Sequence, residues 1–198
     1  MGYIFDRVVY KPSSLETCIA VTGKKPIKTG WLDTNKGDKK EPNMRSRLVA
    51  KEFKWLARRN GRAALFAGTP PIECLRILLS VMTTQIEQST LQLDDQMEML
   101  ILDVRRAHFY AKALRRVFVE MPKEDPRWHE CQGVAELLMS LYGTQDASAN
   151  WEAEYSKCLI EGGYQKGEAS PCLFYNALSK VRALVHGDDF VAVGRRGP

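Results

Sequence analysis

With 198 residues, 44% hydrophobic and 27% charged, the chain has the length of one domain, or two lobes sharing a core, and enough apolar content to bury one. No apolar run nears the about 20 residues that span a bilayer, and the N-terminus lacks the charged-then-apolar layout of a signal peptide, so no membrane partner is expected. The net charge of +5 is unevenly spread: residues 22–62 hold thirteen Lys/Arg against four acids, +9 in all, which leaves −4 for the remainder and marks a polyanion-binding face or a solvated basic surface.

In chain order, Tyr3-Ile4-Phe5 and Val8-Val9-Tyr10 are candidates for short strands. Residues 30–34 read as a strand entering a turn at Asn35-Lys36-Gly37-Asp38. Residues 44–51 read as the returning strand, with basic residues interleaved, so the two form a basic arm. Residues 53–62 are polar and basic. Thr69 is predicted to cap a helix with proline in its first turn. Leu75, Leu78, Leu79, Met82 and Ile86 follow at spacings of three and four, which predicts an amphipathic helix of roughly five turns with its stripe in a core. Residues 99–104 form a continuous apolar run that meets an acid, Asp103, which predicts a buried central strand.

Further along, residues 115–122 read as a strand stopped by proline, and 123–130 as a charged loop. Residues 134–142 are apolar and periodic up to Gly143. Residues 147–163 predict a helix with Trp151, Tyr155, Cys158 and Leu159 on one face and Gly162-Gly163 at its end. Pro171 opens another strand at 172–176. The five cysteines include no CxxC pair, and His129-x-Cys131 has no second pair. Reduced thiols in an intracellular protein are therefore expected, without a disulfide scaffold or a zinc site. Asp6 stands where a myristoylation start has Ser or Thr.

The stretch 181–194, VRALVHGDDFVAVG, carries the chemistry. Two apolar runs flank His186-Gly187-Asp188-Asp189, which reads as a tight hairpin with two carboxylates at its tip. Either this is a solvated turn, or the adjacent acids share a cation, since their repulsion needs an offset. A divalent ion such as Mg²⁺ takes oxygen ligands from one or two carboxylates and substrate phosphates. Asp103 is either the cap of the next segment or a third carboxylate beside that hairpin, in which case three acids suffice for two ions.

The motifs Arg47-Leu48-Val49-Ala50-Lys51, Leu102-Asp103-Val104 with Ala107, Ser140-Leu141-Tyr142-Gly143, Trp151, Pro171-x-Leu173-Phe174 and Asp188-Asp189 follow one another in that order. In this order and spacing, residues 27–194 resemble the reverse transcriptase domain of copia-type LTR retrotransposons. The resemblance implies an α+β, right-hand polymerase. Its palm would be a mostly antiparallel sheet backed by helices, and its fingers the basic N-terminal strands. Residues 1–26 would be an N-terminal extension and 27–198 the fingers and palm, ending after the catalytic hairpin with the thumb missing.

The implied activity is RNA-directed DNA polymerase by two-metal nucleotidyl transfer, with Mg²⁺ or Mn²⁺. The implied partners are an RNA/DNA template-primer and a dNTP. Asp103, Asp188 and Asp189 match the catalytic metal ligands, and Val104 would add a backbone carbonyl. Arg47 and Lys51 match residues that grip the triphosphate, and Gly143 the loop that lines nucleotide and template. His108, with Phe109 next to it, falls at the family's aromatic gate against ribonucleotides.

The chain departs from the family at three places. His186-Gly187 precedes the aspartate pair where the family has Tyr-Val. Asp146-Ala147-Ser148 stands where it has Gln-Ala-Pro or Gln-Ala-Ser. The sequence stops nine residues after Asp189, where the family continues into a primer grip, thumb and RNase H. Two expectations therefore stand: a polymerase domain, weak by itself and prone to self-association, or a decayed, non-catalytic nucleic-acid-binding remnant.

Overall fold

The computed structural model describes residues 8–52, 67–84 and 97–195. The strand expected at Tyr3-Ile4-Phe5, the basic stretch 53–62 and Ile86 lie outside these residues. The chain is mixed α+β, with antiparallel sheets throughout the named strands. It divides into two compact units, residues 1–66 with 108–151 and residues 67–107 with 152–198.

The first unit opens with β1 (Tyr10–Ser13) and α1 (Leu15–Thr22). The sequence reading passed over α1, although its ends carry clear signals. Ser14 caps it by accepting the Thr17 N–H at 3.1 Å. Gly23, at φ +65°, closes it in the left-handed conformation. β2 (Thr29–Asn35) and β3 (Met44–Ala50) pair in full register from Thr29 opposite Ala50 to Asn35 opposite Met44, as the basic arm requires. β5 (Phe118–Glu120) and β6 (Val134–Leu137) join β1 in a three-stranded sheet of order β1-β6-β5. The loop expected at 123–130 contains a 3₁₀ turn, Pro126–His129, capped by Asp125. Val9, Tyr10, Leu48, Phe109, Val119 and Leu141 are among the buried side chains that form this unit's core.

The second unit is a five-stranded sheet of order β4-β10-β9-β8-β7. Its strands are β4 (Met97–Asp103), β7 (Tyr164–Lys166), β8 (Leu173–Asn176), β9 (Arg182–His186) and β10 (Asp189–Arg195). Helix α2 (Ile72–Thr84) backs it through Leu78, which is buried with Met97, Cys172, Leu184 and Val193, while Cys74, Leu75 and Met82 pack alongside. α2 begins three residues after Thr69, so threonine is not its cap; the Cys74 N–H instead turns back to the Pro71 carbonyl at 3.0 Å. α3 (Ala147–Glu161) matches the helix expected at 147–163 and ends at Gly162-Gly163, with Gly163 at φ +82°.

One expectation is corrected. Residues 99–103 do lie in a strand, but among the described residues β4 is the edge of its sheet, and Met99, Leu100, Ile101 and Leu102 are exposed. An unbroken apolar run does not distinguish a central strand from an edge strand, because pairing is set by the neighbours and not by the run itself. All five cysteines are free thiols. Among the described residues no helix is long and apolar enough to cross a membrane.

Candidate functional site

In the second unit, the hairpin forms where the sequence places it. His186 pairs opposite Asp189, so Gly187 and Asp188 are the two loop residues. Gly187 takes φ +67° and Asp188 does not take a positive φ, the pattern of a type II′ turn, which needs glycine first. β10 lies between β9 and β4 and is held there by two antiparallel ladders. The Phe190 ring meets Tyr155 edge-on at 5.7 Å.

Register then decides where the third acid lies. Asp103 is directly opposite Asp189 on the neighbouring strand. The Val104 N–H donates to the Asp188 carbonyl at 2.9 Å, which ties the end of β4 to the turn. Residues directly opposite in an antiparallel pair present their side chains to the same face, and like charges there destabilise the sheet. Asp103 and Asp189 are exposed, and Asp188 is half-buried. The facing pair Asp103 and Asp189 works against stability, and a cation beside it would offset the repulsion. The donors are all hard oxygens, the type that Mg²⁺ takes. Among the described residues, however, no three His, Cys, Asp or Glu side chains are grouped to hold a metal ion. The donor chemistry and the strand register fit such an ion; the side-chain positions do not close a three-ligand group.

In the first unit, the remaining sequence-predicted residues gather around Tyr142. The Arg47 guanidinium lies over its ring, 5.6 Å from the centroid. His108 packs against the same ring at 4.4 Å and Phe109 meets it edge-on at 5.6 Å. The Ala50 N–H donates to the Tyr142 carbonyl at 2.7 Å. Gly143 follows at φ +85°, with its Cα so close to the Ala50 carbonyl that a Cβ would collide with it. Arg47, His108 and Gly143 are thus held together by one aromatic ring that the sequence reading counted only as part of a motif. Lys51 is exposed, and its side chain runs along Gly30.

An ionic clasp fixes this loop from behind. Glu52 accepts from the Gln145 N–H at 3.0 Å and pairs with Arg115 at 2.5 Å. Arg115 also pairs with Asp146 at 2.9 Å. Asp146 is buried and accepts from Asn150, which in turn donates to Ser140 at 3.0 Å. The acid standing in place of the family's glutamine therefore points into the protein and to an arginine. Burial pushes the Asp146 carboxyl up, but its bonds to Arg115 outweigh this and hold it below the usual carboxylate range. Glu52, Arg115 and Asp146 are far apart in sequence, and no local pattern pairs them.

Two expected results follow from the clasp. Arg115→Met leaves a buried carboxylate without its cation and should cost about 2–4 kcal/mol, somewhat less than the about 3–5 kcal/mol of a fully buried pair because Arg115 is partly exposed. Denaturant unfolding checks this. Acid should also weaken the first unit. Asp146, Asp125 beside Arg127, and Glu136 beside Arg116 and Lys11 all titrate below their ordinary range. Their stabilisation is fully present above about pH 4–5, the unfolded range, and is lost as pH falls through the lower folded values. Asp146→Asn should flatten the stability–pH curve in that window; an unchanged slope would show that Asp146 contributes nothing to it.

Comparison with known proteins adds a family. Residues 17–196 match the family described as reverse transcriptase (RNA-dependent DNA polymerase). Over 180 residues, 87% of the chain, the sequence is 26% identical to the retrovirus-related Pol polyprotein from transposon TNT 1-94 of Nicotiana tabacum. The chain spans 13% of that relative's length. No solved structure matches it.

Proposed function

Because the chain belongs to the reverse transcriptase (RNA-dependent DNA polymerase) family, we propose that it is the nucleotidyl-transfer portion of a copia-like retrotransposon polymerase. It extends a DNA primer on an RNA template. The observation that carries this is the register of Asp103 opposite Asp189, with Asp188 in the adjoining turn. In this reading Asp103, Asp188 and Asp189, with the Val104 carbonyl, hold two Mg²⁺ or Mn²⁺ ions. Such ions, when bound, activate the attacking hydroxyl and neutralise the charge on the leaving group.

The chain's own residues do the positioning. Arg47, with its guanidinium resting on Tyr142, presents a fixed cation to the triphosphate; Lys51 adds a second. In this reading His108, packed on the same ring, is the gate residue against ribonucleotides, and Gly143 belongs to the loop that lines nucleotide and template. Holding reactants in line matters as much as charge, since a misplacement of about 1 Å can cost about 100-fold.

A second reading, a nucleic-acid-binding remnant without catalysis, draws on the unclosed grouping of the three acids. Primer extension on poly(rA) primed with oligo(dT), with Mg²⁺ or Mn²⁺, separates the two. Ion-dependent incorporation of dTTP is the expected result. Template binding without incorporation under either ion would leave the second reading in place.

A further inference from the structure

In the second unit, the sheet face that α2 covers carries a cation that no acid meets. Gln165, Tyr175, Arg182 and Val193 stand opposite one another in turn on β7, β8, β9 and β10. Residues directly opposite in an antiparallel sheet share a face. Val193 is buried with Leu78 of α2, so this row lies on the α2 side. The Arg182 guanidinium rests over the Tyr175 ring, 5.2 Å from its centroid. Among the described residues Arg182 is in no ion pair, and its one hydrogen bond is long, from Nη1 to the Lys180 carbonyl at 3.4 Å. A guanidinium carries several donors, and holding one half-buried with most of them unmet is unfavourable.

Arg182 lines an apolar cavity of about 310 Å³. Ile77, Leu78 and Val81 line it from α2, and Leu173 and Tyr175 from β8. No Asp or Glu is on its wall. Leu78 is buried, but Ile77 is 63% and Tyr175 37% exposed, so the cavity opens to solvent. Helix and sheet close on each other through Leu78, Cys172, Leu184 and Val193, and leave this apolar surface uncovered beside that contact. Pockets for small ligands, of about 300–1,000 Å³, combine apolar walls with a few fixed polar groups. This one has the walls, one fixed cation, and a size at the small end.

We infer that this cavity binds a small amphiphilic monocarboxylate, an alkyl acid whose chain lies between α2 and β8 and whose carboxylate meets Arg182. The planar guanidinium fork matches a carboxylate through two parallel N–H···O bonds. Stacking on Tyr175 holds the fork in place before a ligand arrives, so less side-chain freedom is lost on binding. One cation balances one negative charge. A phosphate monoester, with about −1.5 to −2 charges near pH 7, would be left unmatched. None of these residues is placed in the nucleotidyl-transfer site, so the cavity stands apart from the polymerase reading.

The test uses the full chain and needs no catalysis. Octanoate is the probe; octanol and octylammonium carry the same chain without charge and with the opposite charge. Calorimetry gives the affinities, and the methyl resonance of Ile77 in isoleucine-labelled protein reports the place of binding. Octanoate should bind about tenfold or more tightly than octanol, the scale of hydrogen bonds to charged groups, and octylammonium should bind most weakly. Arg182→Met keeps an apolar stem on Tyr175 and removes the charge. It should lower octanoate affinity to that of octanol and leave octanol unchanged. Ile77→Gln, at an exposed helix position, should weaken octanoate and octanol alike. Ile72→Gln, exposed on the same helix but outside the cavity, should stay near wild type. Circular dichroism checks that each variant is folded. Equal affinity of the wild type for octanoate and octanol, or an Arg182→Met variant that still separates them, would overturn the carboxylate site. An Ile77 methyl that does not shift at millimolar octanoate, or Ile77→Gln and Ile72→Gln variants that behave alike, would overturn its place in the fold.

Discussion

Asp103→Asn is expected to lower primer extension by about 10³-fold or more while leaving the fold intact or slightly firmer. The two effects have opposite signs because they have separate causes. On the proposed two-metal reading, losing one ligand would remove several kcal/mol of transition-state stabilisation, and each 1.36 kcal/mol is tenfold in rate. Stability moves the other way. Asp103 is exposed on an edge strand and lies directly opposite Asp189, so neutralising it relieves a cross-strand repulsion. Asp188→Asn should likewise abolish extension. Incorporation rates on primed poly(rA) and thermal melts of the same preparations give both readings. Near-wild-type incorporation by Asp103→Asn would remove it from the catalytic site, and a large drop in melting temperature would recast it as a structural residue.

The second large effect is expected for Gly143→Ala, with a loss of about 3 kcal/mol or more. Two costs combine. At φ +85° any L side chain is strained, and the new Cβ would strike the Ala50 carbonyl. The backbone there has little room to yield, because the Ala50 N–H already donates to Tyr142 at 2.7 Å. Any shift that relieves the clash also moves Tyr142, and with it the ring on which Arg47 and His108 rest. Nucleotide affinity should therefore fall along with stability. Gly187→Ala provides the comparison: its φ is +67° but nothing lies within 4 Å of the added Cβ. It should cost only the conformational part, about 1–3 kcal/mol. Equal losses in the two variants would mean that the contact with Ala50 is not a constraint.

The elements legible in the sequence were those whose causes are local. The hairpin of β9 with β10 announces itself through apolar runs either side of Gly187-Asp188, since a two-residue turn with glycine first is one of the few that join strands so tightly. The basic arm of β2 and β3 and the helix α3 follow equally from alternation, helical spacing and the closing glycines. The order of motifs was enough to indicate the family, because a motif order survives when pairwise contacts cannot be read. α1 was legible too, through Ser14 and Gly23, but its weak apolar periodicity hid it.

What only the tertiary structure decided is which distant segments meet. Asp103 and Asp189 are 86 positions apart in the chain, and their register depends on β10 choosing β4 as its second neighbour. That same pairing left β4 at the sheet edge, which its apolar run did not foretell. The partnership of Glu52, Arg115 and Asp146 and the convergence of Arg47, His108 and Gly143 on Tyr142 are of the same kind. Periodicity and turn chemistry act over a few residues and specify the elements; ion pairs, ring contacts and strand neighbours act through space, so they exist only once the chain has brought those elements together.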